Sequence, residues 1–360
     1  MLLLVVAAGL WPATAAARPT NVVIGLLLPP EEAEAASLRA GALLAIEQAN
    51  KTASNASLVI RGRVGQWGAD GEEAARMVLD DGAQALIAPP NGGATHLALQ
   101  VAGRTATPVV SLCADSSVSR TGVPWMVRIV PTTVEEGRCL LGSLDAETPG
   151  PTRWVALVPD GRAGREAARD LQQAAAAAER KLARVWEVSS SSTNLESFAA
   201  QVLKDQPTGA LVWLDPVLAG KFARGLRQAG FAGNLAGPSR CNSPAFLTAS
   251  GREAEGFVVP AMVLDAASET RLRAFQAGFR ERYGIVADVT AAESYDAACL
   301  LVHILKEYAA ESLPRAFPLT FSFGGVSGDL NFDAEGNRKV LLRSLVARQG
   351  CFVVREHERE

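Results

Sequence analysis

The stretch Ala83–Leu97, AQALIAPPNGGATHL, carries three structural signals in immediate succession. Its first five residues are an apolar run that is typical of a buried strand. Gly92 and Gly93 then mark a turn, and from Ala94 to Val101 the apolar residues recur at helical spacing. Strand, glycine turn and helix together form the basic unit of an α/β fold. The start of such a helix leaves backbone N–H groups free to meet an anion, so the turn is a candidate binding element.

The same alternation of apolar runs and helical patterns extends to both sides of this stretch. One series runs from Val22 to Leu112, and a second runs from Trp154 to Ala236. Continuous apolar strands with intervening helices indicate parallel sheets that are covered on both faces. Because Gly150–Thr152 separates the two series, the sequence predicts an α/β protein of two doubly wound parallel-sheet lobes.

Two parts of the chain give less regular patterns. In the second series, an alanine-rich stretch predicts a helix over Arg165–Ala183 and a strand over Arg184–Val188. The C-terminal part has two helical patterns and two apolar runs, at Thr270–Tyr283, Ala287–Ala310, Leu319–Phe323 and Val340–Ala347. These elements are too few for a third domain, so we expect them to complete the two earlier sheets.

Length and composition point to an exported protein of two domains. The chain has 360 residues, a net charge of −3 and a pI near 5.8, without a basic stripe, which disfavours nucleic acid as a partner. The start, MLLLVVAAGLWPATAAARP, is typical of a secretory signal peptide, which we place at residues 1–17. A membrane anchor is the alternative, but the apolar run is shorter than the about 20 residues that span a bilayer. The remaining length exceeds what one core usually holds.

The sequence offers no catalytic or metal-binding motif. The three histidines lie far apart, and neither a nucleophile elbow nor a phosphate-binding glycine loop occurs, so we expect no metal, no cofactor and no enzymatic activity. The five cysteines are odd in number and widely spaced, which does not indicate a disulfide framework. A single disulfide bridge remains open as an alternative, and the sequence does not indicate which two cysteines would form it.

Several segments, taken in order, resemble one known family, the type I periplasmic binding proteins of the branched-chain amino acid class. The resemblance covers nearly all of the mature chain. The segments that carry it are AGALLAIEQAN (Ala40–Asn50), GADGEEAARMVLDDGAQALIAP (Gly68–Pro89), TPVVSLCADS (Thr107–Ser116), MVRIVPTTVEEG (Met126–Gly137), GLRQAGFAGNLAGPS (Gly225–Ser239), EAEGFVVP (Glu253–Pro260), FRERYG (Phe279–Gly284), ESYDAACLL (Glu293–Leu301) and GVSGDLNFDAEGNR (Gly325–Arg338).

The resemblance implies that three crossing segments join the two lobes. We place them near Pro131–Thr133, near Val259–Met262 and around Gly325–Asn337. Lobe one would then comprise residues 21–131 and 261–326, and lobe two residues 133–259 and 330–356. The resemblance further implies that the lobes close on a small ligand and that a membrane permease with its ATPase subunits is the partner.

In this family, two turns of lobe one hold the carboxylate of the ligand. The first turn here is Asn91-Gly92-Gly93, where the usual serine cluster is absent and backbone N–H groups and the Asn91 amide would have to serve. The second turn would supply the Ala114 backbone and the Ser116 hydroxyl. Its neighbour Asp115 is unfavourable for an anion, so we expect that side chain to point outward or to cap the next helix.

The family's grip on an α-amino group looks altered in this sequence. Near the first crossing we place Thr133 in the site, with Thr132, Glu135 and Glu136 beside it, while the corresponding lobe-two turn offers Ser239 and Arg240 but no acid. The aromatic walls are replaced by Glu34, Ala163 and Pro216, and Trp67, Trp125 and Trp213 are each more typical of core packing.

Arg162 and Arg240 are the positive candidates of lobe two. As ligand contacts, they favour a carboxylate-containing ligand through bidentate hydrogen bonds. As an equally weighted alternative, both are solvated charges in loops.

These observations predict a periplasmic, monomeric solute-binding protein that captures a small amino acid-like or carboxylate-containing ligand for an ABC permease. Two alternatives remain open. One is a sensing module that presents its ligand to a membrane receptor, and the other is a degenerate member with an altered ligand.

Overall fold

The computed structural model describes residues 21–52, 54–62, 68–145, 152–189, 195–308 and 322–355. The predicted signal peptide and Trp67 lie outside these ranges. Within them, no helix is both long enough and apolar enough to cross a membrane.

Helices and strands alternate along most of the described chain. The strands are β1 (Val22–Leu28), β2 (Ala56–Gly62), β3 (Ala85–Ala88), β4 (Val109–Ser111), β5 (Met126–Arg128), β6 (Trp154–Pro159), β7 (Leu182–Val188), β8 (Gly209–Val212), β9 (Asn234–Ala236), β10 (Phe257–Met262), β11 (Ser322–Gly325), β12 (Gly328–Asn331), β13 (Leu342–Arg348) and β14 (Cys351–Val354). The helices are α1 (Glu32–Lys51), α2 (Ala69–Leu79), α3 (Gly92–Thr105), α4 (Thr133–Asp145), α5 (Gly161–Ala177), α6 (Leu195–Leu203), α7 (Pro216–Gln228), α8 (Pro244–Ser250), α9 (Ala266–Tyr283) and α10 (Val289–Glu307).

Lobe one is built on a five-stranded parallel sheet in the order β2-β1-β3-β4-β5. Its central strands β1 and β3 are buried almost throughout, as expected for strands covered by helices on both faces. Helices α1 and α10 pack on one face, where Leu38, Ala42, Leu300 and Leu301 are fully buried. The C-terminal helix α10 thus returns to lobe one, as the sequence predicts.

Lobe two is built on a seven-stranded sheet in the order β14-β13-β10-β9-β8-β6-β7. The strands from β7 to β10 are parallel, whereas β13 pairs antiparallel with β10 and with β14. The fold class of two doubly wound α/β lobes is therefore confirmed, with an antiparallel edge added to the second sheet. The chain leaves lobe two after β10, passes through lobe one and returns at the same end of the sheet. Strand β13 therefore begins beside the end of β10 and runs in the opposite direction.

One predicted helix end differs from the structure. Helix α5 ends at Ala177, not at residue 183, because Glu179 adopts a left-handed φ of 56° and β7 begins at Leu182 to pair with β6. Strand β10 pairs with β13 as far as Met262. The chain therefore leaves the lobe-two sheet after Met262, and the second crossing, placed near Val259–Met262 from the resemblance, stays a prediction.

Two arginines tie the first and third crossings together. Arg338, which is 2 % exposed, donates from Nη1 to the carbonyl of Ile129 at 2.9 Å. Arg128 donates to the side chain of Asn337, and its own backbone pairs with Asn337 in an isolated bridge. Buried guanidinium groups that satisfy several backbone carbonyls make this part of the hinge rigid.

All five cysteines are free thiols in the structure. Cys113 and Cys241 are buried, one in each lobe, and Cys351 is exposed. Burial raises the pKa of Cys113 and of Cys299 to about 12, so these thiols remain protonated and pack as small apolar side chains.

Candidate ligand-binding cleft

A cavity of about 340 Å³ lies between the two lobes. Its walls are the turns that follow β1, β3, β4 and β5 of lobe one and β6, β8 and β9 of lobe two. In open α/β sheets, ligands bind at the carboxyl ends of the strands, where helix N-termini and irregular backbone meet. The cleft therefore has the position and the size of a small-molecule site.

The turn after β3 provides the N-cap of helix α3. Asn91 is the N-cap of α3, and its side-chain oxygen accepts from the backbone N–H of Ala94 at 2.9 Å. Gly92 lines the cavity, and a Cβ atom placed on it would lie 2.5 Å from Glu166 Oε2 and 2.9 Å from Asp115 Oδ2. Two carboxylates thus lie directly against Gly92, so the wall next to the α3 N-terminus is acidic.

The turn after β4 is held by contacts across the lobe boundary. Ser116 donates from its backbone N–H and from its hydroxyl to the carboxylate of Asp170 on α5, each at 2.8 Å. Both groups are buried, with Asp170 fully so. Ser116 therefore binds lobe two and lies outside the cavity wall, while Ala114 lines the cavity and accepts from the Thr133 N–H at 2.9 Å.

Asp115 does not point outward, which was one of its two expected orientations; it faces the cavity and binds Ser117, which directly precedes the short helical turn at Val118–Thr121. It lines the cavity and accepts hydrogen bonds from the backbone N–H and hydroxyl of Ser117 and from Arg169 Nη2 of lobe two at 2.8 Å. Burial alone would raise the pKa of Asp115. Its contacts with His96 and Ser117 and the charge of Arg169 outweigh that effect and hold the pKa well below its usual value. Asp115 therefore remains ionised beside the cleft.

The positive charge of Arg240 is already matched within the protein. Its guanidinium pairs with Glu34, which lies on α1 of the opposite lobe, and both side chains line the cavity. The charge of Glu34 and its hydrogen bond keep the pKa of Arg240 above its usual value despite burial. The pair fixes one edge of the cleft and leaves little free positive charge for a ligand anion.

Two carboxyl groups at the cleft are largely excluded from solvent. Glu136, on α4, is 3 % exposed and accepts from Ser239, whose N–H lies at 3.3 Å and whose side chain also bonds to it. Glu293, on α10, is 7 % exposed. Burial raises the pKa of Glu136 to about 7, against the lowering effects of Ser239 and Arg240. Burial, together with the charge of Glu136, raises the pKa of Glu293 to about 8. Both groups thus titrate near neutral pH.

Ten residues were predicted from the sequence to bind the ligand, and the structure brings seven of them to the cavity. The seven are Glu34, Asn91, Gly92, Ala114, Thr133, Ser239 and Arg240. Gly93 lies one step into α3, Ser116 is bound to Asp170, and Arg162 lies on α5 with its side chain 53 % exposed and paired with Glu166. The ligand contacts themselves stay a prediction.

The cavity is also lined by residues that were not among the ten predicted to bind the ligand. Glu31 and Glu136 each have a glutamate next to them in sequence, in the pairs Glu31-Glu32 and Glu135-Glu136. Such pairs are typical of helix starts, and these two lie at the starts of α1 and α4. In both pairs, one member also faces the cavity. Trp213 packs in the lobe-two core, as expected, and also lines the cavity at 6 % exposure. Glu293 lies in a helix without any motif around it.

The cavity lining is strongly acidic. Its only basic side chain among the described residues is that of Arg240, against nine carboxylates: Glu31, Glu34, Asp115, Glu136, Asp160, Glu166, Asp170, Asp215 and Glu293. Four of the nine are in ion pairs, since Glu34 pairs with Arg240, Glu166 with Arg162, and Asp115 and Asp170 with Arg169.

One cluster has the composition of a metal site. Donor atoms of His96, Asp115 and Glu166 lie within 4.8 Å of one another. Each of them already has a partner, since His96 contacts the Ser117 hydroxyl at 2.9 Å and the two carboxylates bind Arg169 and Arg162. A metal ion would have to displace these bonds, so the arrangement favours the internal network.

Comparison with known proteins was made at the level of sequence families and of solved structures. Residues 22–339 match the family described as periplasmic binding protein. No curated protein matches the sequence. Among solved structures, the branched-chain amino acid transporter substrate-binding protein of Streptococcus pneumoniae, in complex with isoleucine, is 16% identical with a TM-score of 0.81, covering 92% of this chain and 97% of that one.

Two further structures have the same fold. A leucine-binding protein of Thermotoga maritima is 18% identical with a TM-score of 0.80 over 93% of this chain and 97% of that one. A solute-binding protein of an ABC transporter of R. palustris, in complex with benzoate, is 18% identical with a TM-score of 0.81 over 93% of this chain and 95% of that one. At these identities, the structures bear on the fold alone. The family match spans most of the sequence, and the chain therefore belongs to the periplasmic binding protein family.

Proposed function

We propose that this protein is the substrate-binding component of an ABC importer. It captures a small organic ligand, amino acid-like or carboxylate-containing, in the cleft between its lobes and delivers it to a membrane permease with ATPase subunits. The observation that carries this proposal is the cleft itself, whose walls come from strand ends of both lobes. A ligand that contacts both walls stabilises the closed form, and closure is the signal that a transporter reads.

The solved relatives support a small organic ligand. The protein from S. pneumoniae was solved with isoleucine and that from R. palustris with benzoate. A cavity of about 340 Å³ is at the lower end of the range for small-molecule sites and suits ligands of that size. The protein acts in the periplasm as a monomer and performs no chemistry on its ligand.

Native mass spectrometry of the freshly purified mature protein tests this proposal. The expected result is a non-covalent adduct of small mass that disappears on unfolding and whose re-addition compacts the protein in small-angle X-ray scattering. A protein that carries no adduct, and that neither binds nor compacts with any member of a library of amino acids, organic acids and amines, would contradict the proposal.

A further inference from the structure

The charges that line the cleft do not match an anionic ligand. After the ion pairs are counted, five lining carboxyl groups have no cationic side chain bound to them within the described residues: Glu31, Glu136, Asp160, Asp215 and Glu293. A ligand carboxylate brought into this cavity would meet repulsion from these groups and from the paired carboxylates. A ligand with a positive charge would meet attraction from the same groups.

We propose that the cleft takes an organic cation with more positive than negative charge, whose ammonium group binds between Glu136 and Glu293. This inference rests on the proposed function and narrows its ligand class. The two carboxyl groups come from different lobes, because α4 packs against α5 and β13 of lobe two and α10 packs against α1 and β1 of lobe one. An ammonium group that binds both would hold the lobes together.

Of the two carboxyl groups, that of Glu293 gives the stronger indication of a cationic ligand. It lines the cavity with 7 % of its surface exposed, and no described residue donates a hydrogen bond to its carboxyl group. A buried carboxyl without a donor is costly, and native proteins retain such groups where a ligand or ion completes them. Glu136 is weakly partnered, since Ser239 is the only described residue that donates to it, through its N–H at 3.3 Å and its side chain.

The turn where relatives would hold a carboxylate argues in the same direction. Gly92, at the N-terminus of α3, is enclosed by Glu166 Oε2 and Asp115 Oδ2, which a Cβ atom on Gly92 would approach to 2.5 and 2.9 Å. The helix N-terminus is therefore already faced by two carboxylates of the protein. A third carboxylate at this place, from a ligand, would be repelled by both.

The two arginines that could oppose this conclusion do not supply free charge to the cavity. Arg240 is bound to Glu34, and Arg162 lies outside the lining with its side chain 53 % exposed and bound to Glu166. A protonated carboxyl also loses its proton readily beside an ammonium group, because an adjacent positive charge favours the ionised form. Glu136 and Glu293 therefore become anionic as the cation enters.

A matched pair of ligands tests the sign of the charge. Isothermal titration calorimetry compares cadaverine and glutarate, which have the same five-carbon chain with ammonium or carboxylate ends, and leucine as the neutral zwitterion. We expect cadaverine to bind, with an affinity that falls as salt is added, and the other two to bind at least about tenfold more weakly.

The outcomes separate this inference from the proposed function. Binding of glutarate or leucine that is tighter than that of cadaverine, or a co-purified adduct without net positive charge, overturns the inference and leaves the proposed function in place. Failure of all three probes and of the whole ligand library, in a protein without an adduct, overturns both.

Isosteric variants test the two carboxyl groups. Glu136→Gln and Glu293→Gln should each weaken cadaverine binding by about tenfold or more, since a hydrogen bond to a charged group contributes that much. Glu307→Gln, an exposed position on the same helix α10 as Glu293, is the matched control and should bind as the parent does. Circular dichroism and thermal unfolding establish that each variant is folded. Unchanged binding by both folded variants would refute the assignment.

Discussion

At the scale of single residues, the cleft is defined by carboxyl groups whose protonation depends on the fold. Glu136 and Glu293 have pKa values of about 7 and about 8, mainly because burial disfavours the charged form. In the unfolded chain the same groups titrate near 4.5. Between these values the folded protein holds protons that the unfolded chain has lost, so the free energy of unfolding decreases as pH rises through this window.

Replacement of Glu293 by glutamine should remove its share of this pH dependence. The amide keeps the shape of the side chain and stays neutral, so Glu293→Gln should unfold at a higher temperature than the parent near pH 8. Near about pH 5, where the parent's own carboxyl is protonated, the two proteins should unfold at similar temperatures. The difference in unfolding free energy at the higher pH should be on the order of a few kcal/mol, since one pKa unit is worth about 1.4 kcal/mol.

Thermal unfolding followed by circular dichroism at both pH values measures this effect. The control is Glu307→Gln on the exposed side of α10, which should follow the parent at both values. A variant whose stability difference from the parent is the same at the two pH values would show that Glu293 is ionised in the folded protein as it is in the unfolded chain.

At the scale of elements, close helix packing in lobe one depends on a missing side chain. A Cβ atom on Gly41 of α1 would lie 2.1 Å from the carbonyl oxygen of Ala291 in α10. Neither backbone can move without separating two helices whose contact carries the lobe-one core. Gly41→Ala should therefore destabilise the protein by about 2 kcal/mol or more, although alanine is the better helix former.

Urea unfolding of the ligand-free protein checks this prediction against a matched glycine. Gly142 of α4 is exposed, and a Cβ atom there would contact nothing within 4 Å. Gly142→Ala should therefore stabilise by up to about 1 kcal/mol through helix propensity alone. Equal effects of the two substitutions would mean that α1 and α10 are not in close contact at Gly41.

The elements that the sequence predicts well are those whose signal is local. Strands β1, β3 and β6 appear as apolar runs, because a strand buried on both faces must be apolar throughout. Proline or glycine follows each of them within two residues and marks its end. The end of α5 was missed because five consecutive alanines favour helix, whereas pairing of β7 with β6 requires the chain to reverse at Glu179. Tertiary pairing overrides local propensity at that point.

The cleft residues that could be predicted lie in turns that follow predicted strands, mostly in lobe one but also, with Ser239 and Arg240, in lobe two. The turns of Asn91 and Ala114 follow predicted strands, so their place at the sheet edge follows from the fold. By contrast, Glu293 and Asp170 lie inside helices, and their contribution depends on how the lobes meet. Arg162 was chosen for its charge and its position in sequence, yet the first turn of α5 directs it toward Glu166.

At the scale of the whole molecule, direct bonds between the lobes hold the closed form. Asp170 of lobe two accepts two hydrogen bonds from Ser116 of lobe one, and Arg169 of lobe two binds Asp115 of lobe one. The Arg240–Glu34 pair adds a contact at another edge of the cleft. Because these bonds need no ligand, they bias the empty protein toward closure, and a ligand adds its own contacts to that bias.

Asp170→Asn should shift this balance toward the open form. The substitution keeps the shape of the side chain and removes the charge that accepts from the Ser116 N–H and hydroxyl, both at 2.8 Å. Hydrogen bonds to a charged group contribute about 1.5–3 kcal/mol each, so the ratio of open to closed molecules should rise by about tenfold or more. The ligand-free variant should have a larger radius of gyration in small-angle X-ray scattering, and saturating ligand should restore the compact form. The matched control is Asp205→Asn, which likewise removes the charge of a carboxylate that accepts a hydrogen bond, here from Trp186 within lobe two, and leaves every bond between the lobes in place. If Asp170→Asn stays as compact as Asp205→Asn without ligand, the bonds between the lobes do not set the conformational balance, and the cleft closes through its ligand alone.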